Sequence, residues 1–222
     1  MNRLTPGTKD TKVYKGHKGL SRAFYDRPTL DVARDLLGLV LVHNRRGVVT
    51  SGVIVEVEAY IGESDPACHA APGPTRRNEP LYGIPGHAYV YLNYGIHCLV
   101  NVVTESHGSP AAVLIRALDP LDGVEVMRRR RTRAAKGRRS LEGAGAPATH
   151  ALCRGPGNLT MAMGITLAEN RLDLLGDRLY IEDRGVRIGD IAWGPRIGIR
   201  VGTESPWRAW AKGHPAVSAA RD

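Results

Sequence analysis

The chain has 222 residues, and 31 lysines and arginines against 22 aspartates and glutamates give it a formal net charge of +9. This length supports one substantial hydrophobic core and is too short for two comfortable domains. Charged residues make up 24% and hydrophobic residues 42% of the chain, a balance that excludes global disorder. Because 26 glycines and 14 prolines introduce many turns, we predict an irregular, strand-rich body rather than a helical bundle.

The cysteines and the apolar runs indicate the compartment. Cys68, Cys98 and Cys153 share no C-x-x-C spacing, so a reducing compartment is expected rather than a disulfide scaffold. No apolar run approaches the roughly 18 residues that a membrane span requires, and residues 1–18 have no signal-peptide core. We therefore expect a soluble, cytoplasmic protein without a membrane partner.

The first part of the chain is predicted to combine a short helix with long strands. Residues 1–23 are polar and basic and are expected to form a flexible tail. Thr29 is a suitable N-cap for a short helix. Segments 39–42 and 47–59 have the apolar, alternating composition of strands. Segment 62–88 is rich in Gly, Pro and Asn and is expected to be a long functional loop.

The rest of the chain is predicted to be mostly strands with two further helices. Helices are expected at 123–131 and 158–163, separated by a mobile loop near 134–151. The predicted strands are 89–92, 96–104, 111–117, 179–182 and 196–201. Because neither an internal repeat nor a linker is visible, residues 24–222 are expected to form a single α+β domain.

The excess positive charge is concentrated in residues 127–139, which hold eight basic residues and no acid. One interpretation is a solvated surface segment. The other is an electrostatic footprint for a polyanion, whose affinity would fall steeply with salt. Charge alone does not distinguish nucleic acid from acidic lipid.

Two glutamates and one arginine lie in apolar strands. Glu56 and Glu58 fall on the same face of the predicted strand 47–59, because side chains alternate along a strand. Most strand glutamates simply face solvent, but a carboxylate held at a strand end beside a loop could act as a general base on water. Arg116 interrupts an apolar run and, if buried, needs an anionic partner, for which Glu58 is a candidate.

Tyrosines cluster in residues 89–97. Tyr89 and Tyr91 share a strand face, and Tyr94 precedes Gly95, where a turn can present its ring outward. Such rings are usually core packing, yet beside a basic segment they also suit stacking on bases or enclosing a cation. The nearby His and Cys residues show no C-x-x-C or H-E-x-x-H spacing, no G-x-G-x-x-G follows a strand and no Walker A motif occurs, so we expect neither a metal nor another cofactor.

Six collinear segments together resemble the alkyladenine (3-methyladenine) DNA glycosylase family, the type without a helical hairpin that occurs in mammals and many bacteria. They are VARDLLG (32–38), VEVEAYIGESDPACHA (55–70), TRRNEPLYGIPGHAYVYLNYGIHCLVNVV (75–103), AVLIRALDP (112–120), LCRGPGNLTMAMGI (152–165) and PRIGI (195–199). The resemblance implies a single mixed domain with a curved antiparallel sheet and flanking helices, similar to the C-terminal domain of formyltransferases.

The resemblance also implies roles for individual residues. Glu58 matches the general base, and Arg116 and the backbone carbonyl of Ile197 match the groups that hold the attacking water. The walls of the base pocket match Tyr60, His69, Tyr91 and Asn101, of which Asn101 would crowd the amine of normal guanine. The side chain that enters the duplex matches Tyr94, with Ile96 and His97 beside it. The DNA backbone is expected to contact Arg76, Arg77, Arg128 and Arg129.

The implied activity is DNA repair by a monomer acting on double-stranded DNA that contains damaged purines. The expected substrates are 3-methyladenine, 7-methylguanine, hypoxanthine and ethenoadenine, and no lysine matches a Schiff-base nucleophile, so lyase activity is not expected. The alternative is a catalytically silent protein that binds DNA or RNA with the same fold. The presence of both Glu58 and Arg116 favours the enzyme. His97 departs from the aromatic residue of some family members, and residues 134–151 match the family poorly.

Overall fold

The computed structural model describes residues 19–136 and 147–218. Within these ranges the chain forms four α-helices, eight strands and three short 3-10 helices. The α-helices are α1 Arg22–Tyr25, α2 Thr29–Leu36, α3 Val124–Lys136 and α4 Pro156–Met163. The strands are β1 Val40–Arg45, β2 Val48–Ile61, β3 Ala88–Asn93, β4 His97–Val103, β5 Ala111–Pro120, β6 Leu179–Glu182, β7 Ile191–Gly194 and β8 Arg208–Ala211. The 3-10 helices are Glu79–Tyr82, Thr149–Ala151 and Leu167–Glu169.

All strands belong to one antiparallel, curled sheet, whose main order is β3-β4-β5-β2-β1-β6. The 14-residue strand β2 organises it. One edge of β2 pairs with β5, while the other edge pairs first with β1 and then, at Glu56–Glu58, with β8. The predicted α+β class and the curved antiparallel sheet are therefore confirmed.

Strand β2 is buried on both faces. Ile54, Val57 and Ala59 pack into the main core together with α2 and α4, and Val53 and Val55 pack into a second cluster. Because apolar layers cover both faces, polar side chains at this end of the strand are also excluded from water, and they must find partners inside the protein.

Several predicted boundaries are wrong at the ends of elements. The N-cap of α2 is Pro28 rather than Thr29, since the Thr29 hydroxyl donates to Glu105 at 2.6 Å and is committed to tertiary contacts. Helix α3 continues through residues 134–136, and residues 149–151 form a 3-10 helix. The expected mobile loop is therefore wrong at both ends, and residues 137–146 lie outside the described part of the chain.

The expected tail also ends earlier than predicted. Gly19 forms a β-bridge with Glu182, and Arg22 in α1 binds Asp173 at 2.7 Å, so residues 19–23 pack on the domain. Residues 1–18 lie outside the described ranges, and the prediction of a flexible tail there stays a prediction.

The strand predicted at 196–201 is wrong. The last two strands are β7 and β8, and residues 195–207 form the connection between them. Gly198 adopts a positive φ of 79°, which interrupts extended backbone. The Arg196 side chain is held by Asp65, and the Ile197 N–H binds a side chain instead of a neighbouring strand. Tertiary contacts thus override the alternating apolar pattern.

Candidate active site

A cavity of about 330 Å³ opens beside the ends of β2, β3 and β4. It is near the lower end of the size range of small-molecule pockets and so suits a ligand of one or two rings. All four residues predicted to line a base pocket border it, namely Tyr60, His69, Tyr91 and Asn101. Arg116, Ile197 and Tyr94 border it as well.

Glu58 lies directly behind the cavity wall with 0% of its surface exposed. Its Oε1 atom accepts a hydrogen bond from the Ile197 N–H at 2.7 Å and forms an ion pair with Arg116 Nη1 at 3.0 Å. Its Oε2 atom accepts from the Tyr60 hydroxyl at 2.9 Å. The contact from Ile197 is made by its N–H, whereas the resemblance pointed to its carbonyl.

The Tyr60 hydroxyl is fixed as a donor. Burial, and next the negative charge of Glu58, raise the pKa of Tyr60 well above its ordinary value. The hydroxyl therefore keeps its proton at any physiological pH and directs it at the carboxylate.

Arg116 joins the two glutamates of β2. Its Nε donates to Glu56 at 3.0 Å while Nη1 contacts Glu58, so the expectation that both glutamates share a face is consistent with the geometry. The β2–β5 pairing slips here, with Glu56 opposite Ala117 and Val57 opposite Ile115, which leaves Arg116 as an extra, bulged residue. Such bulges redirect side chains. Burial opposes its charge, but Glu58 and Glu56 raise the pKa of Arg116.

The aromatic wall consists of His69, Tyr89 and Tyr91. Nδ1 of His69 lies 2.9 Å from the Tyr89 hydroxyl, and its ring centroid lies 4.4 Å from that of Tyr91. Burial, with the nearby positive charge of Arg77, lowers the pKa of His69. The imidazole is therefore neutral at pH 7, and it can exchange hydrogen bonds with an uncharged edge of a ligand. Tyr89, which sequence analysis treated only as a neighbour of Tyr91, holds this ring in place.

Asn101 lies on the cavity side of β4, opposite Tyr89 of β3. Its amide nitrogen donates to the Tyr89 carbonyl at 3.0 Å. Because the side chain is buried and anchored, it limits the shape of the ligand that the cavity admits.

The β3–β4 hairpin ends at the mouth of the cavity with two exposed apolar side chains. Tyr94 is 86% exposed and Ile96 is 60% exposed. Tyr94 and Gly95 both have positive φ, 48° and 68°, and this tight turn projects the Tyr94 ring. His97 packs at the base of the hairpin against Gly157 of α4, where an added Cβ would lie 2.7 Å from the imidazole Cγ.

The predicted DNA-backbone arginines fall into two groups. Arg76 and Arg77 are exposed on the loop beside the cavity, and the Arg77 guanidinium lies 5.7 Å from the Tyr91 ring centroid. On α3, Arg129 is exposed, but Arg128 donates to the Thr149 hydroxyl at 3.1 Å and to the Pro147 carbonyl.

The rest of the α3 arginine run is also used internally. Arg130 donates to the Ala162 carbonyl at 3.0 Å, and Arg131 donates to the Leu152 carbonyl. Much of this charge therefore anchors α3 to its neighbours, which the composition of the run did not reveal.

Metal-ion clusters and membrane-spanning helices are both absent from residues 19–136 and 147–218. No group of three or more His, Cys, Asp or Glu side chains in this part is arranged to hold a metal ion. No helix in it is long and apolar enough to cross a membrane.

The sequence did not reveal the ion pair that holds the connection between β7 and β8 beside the cavity. Arg196 makes a bidentate contact with Asp65 at 2.6 and 2.8 Å and donates to the Ala59 carbonyl at 3.0 Å. Its guanidinium also lies 4.7 Å from the Tyr60 ring centroid. The only available signal was a charged residue in the segment PRIGI, quoted above for Ile197.

A buried carboxylate, held by a backbone N–H, a tyrosine hydroxyl and a guanidinium, thus lies behind an aromatic cavity, and an exposed tyrosine projects at the mouth of that cavity. The chain belongs to the methylpurine-DNA glycosylase family, whose model matches residues 23–215. It is therefore a DNA glycosylase, and DNA is its substrate.

Related proteins occur in archaea and bacteria. A protein of Methanocella arvoryzae is 48% identical over 203 residues, which cover 90% of this chain and 95% of that protein. A protein of Bradyrhizobium diazoefficiens is 45% identical over 215 residues, covering 97% and 98%, and one of Bacillus cereus is 45% identical over 208 residues, covering 88% and 97%. All three carry a provisional assignment as 3-methyladenine DNA glycosylases.

Proposed function

We propose that this glycosylase extrudes alkylated or deaminated purines from duplex DNA and hydrolyses the N-glycosidic bond with a water activated by Glu58. The observation that carries the proposal is the hydrogen bonding of Glu58. A carboxylate offers about four acceptor positions. The hydrogen bonds from the Ile197 N–H and the Tyr60 hydroxyl use one position on each oxygen, and Arg116 Nη1 forms an ion pair with Oε1. One position on Oε2 is left to accept a proton from water.

The proposed reaction is a displacement at C1′ of the extruded nucleotide. The water oxygen forms a bond to C1′, and its proton passes to Glu58. The N-glycosidic bond breaks, and its electron pair leaves with the purine, so the products are a free base and an abasic site. Arg116 and the Ile197 N–H hold the carboxylate in place during the transfer.

The cavity supports the choice of damaged purines. A methylated purine carries positive charge, and its contact with the rings of Tyr60 and Tyr91 would contribute about 0.5–2 kcal/mol each. The same charge makes the base a better leaving group. Hypoxanthine and ethenoadenine are neutral, so their selection depends on the fit against His69 and Asn101.

The hairpin supports base extrusion. Removing a base from the stack costs a few kcal/mol, and less at a damaged pair. Stacking of a base on an aromatic ring offsets about 1–3 kcal/mol, so the exposed Tyr94 ring can fill the gap while the base lies in the cavity. Arg76 and Arg77, exposed beside the cavity, are placed to neutralise nearby phosphates.

We further propose that the enzyme is a monofunctional, cytoplasmic monomer. Of the described residues, no lysine borders the cavity, which favours hydrolysis over a Schiff-base mechanism with strand cleavage.

The test is single-turnover release of free base from duplexes that contain 7-methylguanine, hypoxanthine or ethenoadenine. We expect the wild-type protein to release at least one of them and Glu58→Gln to be slower by about 10²–10⁴-fold, with unchanged affinity for lesion DNA. The matched control is Glu63→Gln, the same change at an exposed glutamate five residues along the chain.

The outcomes separate the enzyme from a silent binder. Release by the wild type and by Glu63→Gln but not by Glu58→Gln supports the proposal. Release by Glu58→Gln at the wild-type rate would overturn the role of Glu58. Tight binding without release from any lesion would overturn the enzymatic proposal itself.

A further inference from the structure

A second buried carboxylate, Glu56, lies two residues before Glu58 and is also 0% exposed. Its Oε1 accepts hydrogen bonds from Arg116 Nε at 3.0 Å and Arg208 Nε at 2.7 Å. Its Oε2 accepts from the Ser218 N–H at 2.7 Å, and the Ser218 hydroxyl lies 2.7 Å from both oxygens. Because its acceptor positions are filled, Glu56 is not suited to take a proton from water.

Glu56 nevertheless determines where Arg116 points. A guanidinium is a rigid plane, so the contact of Nε with Glu56 and the contact of Nη1 with Glu58 together fix its orientation. Because Arg116 is a bulged residue outside the regular β2–β5 pairing, its orientation depends more on the contacts of its side chain than on the register of the two strands.

Glu56 is itself held from the C-terminal end of the described chain. Arg208 of β8 donates to Glu56 and also to the Ser218 carbonyl at 3.1 Å. Ser218 lies three residues beyond the segment that the family model matches, and its hydroxyl also accepts from Arg116 Nη2 at 3.4 Å. Two carboxylates and two guanidiniums thus neutralise each other in one buried cluster, closed by Ser218.

We propose that Glu56, held by Arg208 and Ser218, is the positioning residue that orients Arg116 toward Glu58. The segment that ends at Ser218 is then a working part of the active site, although it does not border the cavity. This inference rests on the proposed role of Glu58.

The test compares Ser218→Ala, Ser218→Thr and Glu56→Gln with the wild type. Ser218→Ala removes the hydroxyl but keeps the backbone N–H, and Ser218→Thr restores a hydroxyl at a half-buried position. The matched control is Ser51→Ala on β2, the strand that carries Glu56; this variant loses a buried hydroxyl bonded to the Asp122 carboxylate at 2.6 Å. It matches the loss of a serine–carboxylate hydrogen bond without touching Arg116.

Two readouts are needed. The first is the single-turnover rate of base release, measured together with the affinity for lesion DNA. The second is hydrogen exchange of the Arg116 Nε–H, followed by NMR after labelling of arginine with ¹⁵N, which does not depend on activity. We expect Ser218→Ala to lower the rate about tenfold and Glu56→Gln about a hundredfold, with unchanged affinity and faster exchange at Arg116.

We also expect Ser218→Thr and Ser51→Ala to match the wild type in both readouts. If Glu56→Gln released base at the wild-type rate and its Arg116 Nε–H exchanged at the wild-type rate, the inference would be overturned. If only Ser218→Ala behaved in this way, Ser218 would have no part in positioning Arg116. If Ser51→Ala slowed base release as much as Ser218→Ala does, the slowing would reflect a general loss of stability, and the inference would also be overturned. If the wild type releases no base, the proposed function fails, and the exchange at Arg116 still decides whether Glu56 and Ser218 position it.

Discussion

The buried pair of Asp65 and Arg196 connects the loop that carries Ile197 to the end of β2. Both side chains are 0% exposed. Asp65 also accepts the backbone N–H of Ile61 at 3.2 Å and of Ala67 at 3.0 Å. One carboxylate thus pairs with a guanidinium and accepts from two backbone N–H groups at once.

We predict that Asp65→Ala is strongly destabilising. The substitution leaves a buried positive charge without its partner, and loss of one partner of such a pair costs about 3–5 kcal/mol. In a domain of this size each kcal/mol lowers Tm by about 2–4 °C, so we expect Tm to fall by about 6–20 °C. The loop should also hold Ile197 less firmly against Glu58, and base release should slow at temperatures where the variant is folded.

Thermal and urea unfolding of the purified variants measure this effect. The control is Arg187→Ala, because Arg187 is 78% exposed and lies 3.7 Å from Asp183, a surface pair worth at most about 1 kcal/mol. The double variant Asp65→Leu with Arg196→Met should recover stability relative to Asp65→Ala, since no charge is then left unpaired. Equal, small losses in Asp65→Ala and Arg187→Ala would refute the reasoning.

Three further predictions follow from the site and its surroundings. Tyr94→Ala should reduce base extrusion, measured by stopped-flow fluorescence of a base analogue, and leave Tm unchanged because the side chain is exposed. Burial holds the pKa of His43 and His69 below 6.5 in the folded protein. As the pH drops from 6.5 toward 5, the unfolded state therefore binds more protons than the folded state, and the free energy of unfolding should fall. Urea titrations at several pH values should show a smaller fall in His69→Gln. Arg129→Ser should reduce the slope of log affinity for DNA against log salt, whereas Arg131→Ser should mainly lower Tm because Arg131 binds the Leu152 carbonyl.

Local patterns in the sequence were sufficient for most of the secondary structure. The alternating apolar residues of β2 predicted that strand close to its observed bounds, and α4 begins two residues before the helix predicted at 158–163. The same reasoning was wrong for residues 196–201, whose alternation of apolar residues is typical of a strand. There, Asp65 and Glu58, both more than 130 positions earlier in the chain, bind Arg196 and Ile197, and no local pattern contains that information.

The candidate site, like the secondary structure, was predictable in part. Glu58, Arg116 and the tyrosines were identifiable because charged residues in apolar strands need partners and because a family resemblance assigned roles to them. The pairing of Arg116 with two glutamates, however, depends on a bulge in β5, and the closure of Glu56 by Ser218 brings together residues 162 positions apart.

The sequence by itself determined the type of fold, the strands that carry the acids and the aromatic cluster, because each follows from composition and periodicity over a few neighbouring residues. Only the tertiary structure decided that the hydrogen-bond acceptor positions of Glu56 are filled while Glu58 keeps a free one. It also decided that Arg128, Arg130 and Arg131 bind within the protein while Arg129 faces solvent. The physical reason is that hydrogen-bond saturation and burial are properties of the assembled core, where distant segments supply the donors.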